Sequence, residues 1–120
     1  MNLQEKAALR KRRILRSRKK IKGTAERPRL CLHISGRNLS AQLIDDDKGH
    51  TVCALGSLDK TVRELGVHAN VKGAETLGKL VGEKASKSGL TAVVFDRNGR
   101  RYHGMVKAFA EAARQSGLQF

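Results

Sequence analysis

The sequence predicts an α/β protein of the α+β kind. It reads as a mixed sheet begun by an antiparallel meander, with helices packed on it and a basic N-terminal arm. Three observations predict this. Three short runs of alternating apolar residues follow one another over 29–55, separated by tight-turn residues. Two segments of helical period, 71–87 and 105–115, flank a continuous apolar run at 90–95. A helix between a meander and a buried strand implies a crossover, so that strand should lie parallel to a meander neighbour. The third observation is charge: residues 1–30 hold twelve Lys or Arg against Glu5 and Glu26, a net of +10, whereas residues 31–120 carry only +4.

The elements follow in order. The densest basic run, Arg10 to Lys20, includes Leu15 and Ile14, and its residues favour helix. In isolation its like charges repel, which favours disorder or a fraying helix; phosphates would neutralise the repulsion. The only proline, Pro28, closes the junction Gly23-Thr24-Ala25-Glu26-Arg27-Pro28 and pushes Arg27 towards extended geometry. The arm is therefore read as 1–26 and the globular domain as 27–120. Leu30, Leu32 and Ile34 share one face of the first strand, Leu39, Ala41 and Leu43 one face of the second, and His50 to Leu55 form a third. Gly36-Arg37-Asn38 and Asp45-Asp46-Asp47-Lys48-Gly49 are the turns between them. A short helical stretch spans Leu58 to Leu65, with Ser57 as its cap. Val71 to Lys87 places Ala74, Leu77, Gly78, Val81 and Ala85 on one face and stops at Gly89; Met105 to Gln115 turns Val106, Phe109, Ala110 and Ala113 inward and stops at Gly117.

Composition narrows the function. The chain has 120 residues and a formal charge of +14, with 25 Lys and Arg against 11 Asp and Glu. That length holds one core without staples. The excess of positive charge points to a polyanionic partner. No apolar run is long enough to cross a membrane, and no apolar stretch follows the first charges as a secretory signal requires. A membrane-surface helix fits poorly, because basic residues fall on every face of the run. The arm resembles a mitochondrial transit peptide in part, but it has one serine and no evident cleavage boundary. Two cysteines, Cys31 and Cys53, suit small packing residues in a reduced cytosolic setting.

The loop Asp96-Arg97-Asn98-Gly99-Arg100-Arg101-Tyr102-His103-Gly104 is the most informative part of the body. It lies between a strand's carboxyl end and a helix, where ligand sites collect in mixed sheets. Arg97, Arg100 and Arg101 offer bidentate contacts to phosphate, and Tyr102 and His103 could stack on an unpaired base. In the arm, the candidate phosphate ligands are Arg10, Lys11, Arg12, Arg13, Arg16, Arg18, Lys19, Lys20 and Lys22. Asp45, Asp46 and Asp47 with Asp96 raise the alternative of a metal-dependent nuclease, but three aspartates before Lys48-Gly49 also suit a hairpin turn. A non-specific polyanion binder is the other alternative. His33, His50, His68 and His103 share no zinc spacing with the cysteines, and no phosphate-loop or dinucleotide fingerprint is present.

Phe95-Asp96-Arg97-Asn98-Gly99-Arg100-Arg101-Tyr102-His103-Gly104, then Val106-Lys107-Ala108 and the closing Gly117-Leu118-Gln119-Phe120, strongly resemble the bacterial-type ribosomal protein L-eighteen family of the large subunit. Arg27-Pro28-Arg29-Leu30, Ala41 to Asp46 and Gly78-Lys79-Leu80-Val81 extend the resemblance over the whole chain. The resemblance implies a ribonuclease-H-like sheet without catalysis, cofactor or metal. It implies binding to 5S ribosomal RNA and attachment of that RNA to the large-subunit RNA in the central protuberance. Neighbouring 5S-associated ribosomal proteins would be partners, in the cytoplasm, with neither a membrane nor a small-molecule substrate involved. By position it places Arg29, His33, Arg37 and Asn38, together with the loop residues, against 5S RNA. The chain departs from the family pattern at Met105, Ile34 and Ser40, where Arg, Arg and Tyr are common.

Overall fold

The computed structural model describes residues 2–120, so residue 1 of the arm lies outside the described residues. Eight elements follow in order: α1 (Leu3–Lys20), β1 (Arg29–Ser35), β2 (Asn38–Asp45), β3 (His50–Gly56), α2 (Lys60–Arg63), α3 (Val71–Lys87), β4 (Val94–Asp96) and α4 (Met105–Gln115). The four strands form one sheet in the order β3-β2-β1-β4. The meander is antiparallel, and β4 runs parallel to β1 with Arg29 opposite Val94 and Cys31 opposite Asp96. The crossover expected from the element order is therefore present.

Period-two alternation sets the two faces of the sheet. Leu30, Leu32, Leu39, Ala41 and Leu43 are at most 2% exposed on one side. Helices α3 and α4 pack over that side, adding Leu77, Val81, Phe109 and Ala113 to the same core. The two helices approach closely because α3 presents glycine: a Cβ on Gly78 would lie within van der Waals overlap of the Phe109 carbonyl oxygen. Asn70 caps α3, its Oδ1 accepting from Gly73 N–H at 2.7 Å.

Both long body helices have the bounds the periodicity predicts, and the meander agrees within one residue at each end. Two elements differ. The helical stretch expected over 58–65 is a single turn that begins after Asp59, whose carboxylate accepts from Gly56 N–H instead of capping the helix. Ser57 lies instead against the sheet, where its Oγ accepts from Leu39 N–H at 3.0 Å. The strand expected over 90–95 contracts to Val94–Asp96, because Ala92 pairs outside the sheet with Gln119. Phe120 then packs on Phe95 with ring centroids 5.4 Å apart. No described helix is long and apolar enough to cross a membrane.

Candidate nucleic-acid interface

The arm is a helix laid against the body. Asn2 caps α1 by accepting from Glu5 N–H at 2.8 Å, and Arg18, Lys19 and Lys20 occupy the last turn, where cations oppose the helix dipole. No residue of α1 is buried. Arg10, Ile14, Ser17 and Ile21 are half-buried at a spacing of three to four, which marks the face turned to the body. Lys11, Arg12, Arg13, Arg16, Lys19 and Lys20 remain exposed.

The landing point is the loop after β4. Asn98 and Gly99 both have positive φ, 56° and 75°, and Arg100 N–H donates to Arg97 O at 3.2 Å. This is the pattern of a type I′ turn, which an Asn-Gly pair adopts at low cost. Glycine is required at 99 for a second reason. A Cβ there would lie 2.7 Å from Ile14 Cγ1, so the turn passes directly under the helix. Arg10 Nη2 reaches the Asn98 carbonyl at 3.4 Å.

Beneath this contact is a buried ionic hub. Arg29 grips Asp46 with Nε and Nη2, each at 3.0 Å, and donates from Nη1 to Asp96 Oδ2 at 2.7 Å. Arg18 Nε lies 3.7 Å from the same oxygen. The other oxygen of Asp96 accepts from Asn98 N–H at 2.9 Å and so shapes the turn. The hydrogen bonds to Asp46, opposed by burial and aided by Asp96, raise the Arg29 pKa well above its ordinary value. Asp46 is lowered in return, chiefly by Arg29 and also by Gly23 N–H, which donates to it at 2.7 Å. Lys22 closes the edge of the hub on Asp47 at 2.7 Å.

The hub bears on two expectations. The family resemblance places Arg29 on the RNA side, yet it is 7% exposed and its guanidinium is held between two carboxylates. It positions the loop rather than presenting charge to solvent. The carboxylates that suggest a metal site, Asp46 and Asp96, have that guanidinium between them, and Asp45 Oδ1 accepts from Asp47 N–H in the turn. No cluster of three or more metal-ligating side chains occurs among the described residues.

Arg13, Arg16, Lys20, Arg97 and Arg100 line one concavity of about 380 Å³ with no carboxylate among its lining residues. The arm and the loop, separate in the sequence, thus form one cationic surface. Arg100 is partly turned inward, its Nη2 donating to Ile34 O at 3.0 Å; desolvation and then repulsion from Arg10 lower its pKa. Arg101 and His103 are exposed, as is Arg37 at the tip of the β1–β2 turn. Asn38 is tied to Ser57, whose Oγ donates to its Oδ1 at 3.2 Å. Tyr102 is linked to α4 rather than to the concavity, since Arg114 Nη1 donates to its hydroxyl at 2.9 Å. His33 is exposed on the sheet, and the Asn98 amide nitrogen lies 3.3 Å from its Nδ1.

These features define a class: a small, strongly basic α+β protein whose cationic helix and loop share one side of a sheet. The family model described as "Ribosomal L18 of archaea, bacteria, mitoch. and chloroplast" matches residues 4–120. The chain is similar to the "Large ribosomal subunit protein uL18" of Caldicellulosiruptor saccharolyticus, 47% identical over 100% of this chain and 95% of the relative. It is also similar to the proteins of that name from Thermomicrobium roseum, 51% identical over 92% of this chain and 91% of the relative, and from Caldanaerobacter subterraneus, 49% identical over 93% of each. The chain belongs to this family of large-subunit ribosomal proteins.

Proposed function

We propose that the protein is a non-enzymatic constituent of the large ribosomal subunit that binds 5S ribosomal RNA and helps attach it to the large-subunit RNA in the central protuberance. Neighbouring 5S-associated proteins complete that site, in the cytoplasm. The observation that carries the reading is the joint surface of α1 and the 97–101 turn: five cations around one concavity, fixed by Gly99 beneath Ile14. Family membership supplies the partner class.

The mechanism divides the work. The exposed cations of α1 neutralise phosphates and release counterions, which gives affinity with little choice of sequence. The rigid turn, held by Asp96, and the hairpin tip at Arg37 meet the RNA in a fixed relation and so select its folded shape. The outward face of α1, with Arg12 and Lys19, points away from the body and is available to a second RNA element. A titration at near-physiological salt against 5S RNA and an unrelated folded RNA of equal length tests the reading. A strong preference for 5S RNA is expected; equal affinity for the two would reduce the protein to a polyanion binder.

A further inference from the structure

Helices α3 and α4 cover the apolar side of the sheet, and a groove follows the seam between them. Glycine brings the two helices together. A Cβ on Gly78 would overlap the Phe109 carbonyl, and one on Gly82 would overlap the Ser116 side chain. The groove has a volume of about 500 Å³, with Glu75 and Lys79 on the α3 side and Ala108, Glu111, Ala112 and Gln115 on the α4 side.

We propose that this groove docks an extended, arginine- or lysine-bearing segment of a neighbouring protein in the assembled subunit. The inference rests on the reading of the chain as a large-subunit constituent. It adds the surface by which a protein, as distinct from RNA, is met. Charge selects the occupant. The concavity between the arm and the 97–101 turn is lined by cations and by no carboxylate. The groove reverses that balance: Glu75 and Glu111 stand on its two walls, and Lys79 is the one cation in its lining. Both glutamates are exposed. The ion pairs of the described residues engage Asp46, Asp47 and Asp96, so both glutamates are left without a cation of the chain's own. A phosphate backbone is repelled by such a pair, whereas a guanidinium can grip a carboxylate with its fork. The neutral groups fit the same occupant. The hydroxyls of Thr76 and Ser116 turn back onto the Lys72 and Ala112 carbonyls at 3.1 and 3.0 Å. Gln115 is exposed and keeps both donors and an acceptor for the backbone of an incoming chain. Ala108 and Ala112 put only methyl groups in the way of that chain. Proteins that share an RNA-rich particle carry cationic excess for the reason this chain does, which supplies segments of the required charge.

The test titrates the full-length protein with two end-capped octapeptides, one alternating arginine with alanine and one alternating glutamine with alanine. With a net charge of +14 the chain repels the arginine peptide wherever carboxylates do not hold it, so non-specific attraction does not imitate docking. The readout is NMR shift of the backbone amides of residues 75–79 and 111–116. The arginine peptide should move these signals and the glutamine peptide should not. A Glu75→Gln, Glu111→Gln double variant should bind the arginine peptide about fivefold more weakly, the loss expected for two surface ion pairs, and keep its affinity for 5S RNA. Silence of these amides, or arginine-peptide shifts confined to other carboxylates, overturns the inference. So does an RNA hexanucleotide that moves the same amides, since the helix face would then be an RNA contact. A protein that prefers 5S RNA while the groove stays silent loses this inference alone. One that binds no ribosomal RNA loses the functional reading, and the peptide titration still decides the groove.

Discussion

Arg29 Nη1 lies 2.7 Å from Asp96 Oδ2 across the parallel β1–β4 pair, joining residues 67 positions apart. Asp96 is fully buried, and this guanidinium is its nearest cationic partner. Removing the guanidinium leaves a buried carboxylate with only the half-exposed Arg18, 3.7 Å away, to balance it. Arg29→Ala should therefore destabilise the fold by about 3–5 kcal/mol in urea titrations. Arg29→Lys should recover little, since a single ammonium cannot grip Asp46 with a fork and reach Asp96 together. A loss below about 1 kcal/mol, the range of a surface pair, would mean the hub is relaxed in solution.

The hub also sets the response to acid. Asp46 titrates below its ordinary 3.8 in the folded protein because Arg29 and Gly23 N–H stabilise its charge. A depressed carboxyl adds stability that is present above the unfolded value and lost as pH falls through the folded one. Stability should thus hold above about pH 5 and decline below about pH 4. Asp46→Asn should flatten that decline in melting curves between pH 2 and 5; an unchanged acid limb would assign it to other carboxylates.

Gly99 decides whether the arm stays on the body. Its φ is +75°, and a Cβ there would stand 2.7 Å from Ile14 Cγ1, so alanine is disfavoured by backbone and by contact. Gly99→Ala should cost about 1–3 kcal/mol locally. Hydrogen exchange should quicken through 3–20 while β1, β2 and α3 keep their protection. Uniform exchange in α1 would show that the helix stands without the turn.

Salt dependence separates the cations. Each exposed arm or loop cation that meets a phosphate should lower the slope of log affinity against log salt by about one when removed. Arg12→Ala, Lys19→Ala and Arg101→Ala should each do so. Arg100→Ala should do more than remove a charge, because it also breaks the bond to Ile34 O and loosens the turn. Identical effects of Arg100 and Arg101 on RNA affinity and on thermal stability would contradict that distinction.

Helices α3 and α4 meet at close quarters in the core. Gly78→Ala sets a methyl against the Phe109 carbonyl and Ala112 Cβ. Overpacking of this kind costs about 1–3 kcal/mol. A chemical melt of the variant should show it, with RNA affinity unchanged below the transition.

Much of this architecture is legible in the sequence. The bounds of α3 and α4 follow from a helical period that ends at Gly89 and Gly117, both of which have positive φ. The meander follows from alternation between turns rich in Gly, Asn and Asp. The cations of the interface are legible as composition, but their grouping is not, because it depends on one turn passing under one helix. The family resemblance places Arg29 against RNA, but its ionic partners are not legible, because its two carboxylates arrive from a turn and from a strand far along the chain.

The parallel pairing of β4 with β1 gives folding a direction in time. The meander is local and can close early, whereas Val94–Asp96 must return over a long stretch of chain. Until they do, β1 is an open edge offered to any passing strand, and its first residue is an arginine with nothing to neutralise it but Asp46. A charge at an unprotected edge discourages wrong partners. The side chain that ends buried beneath the 97–101 turn can thus first serve as a guard, keeping the edge free for the strand that carries Asp96.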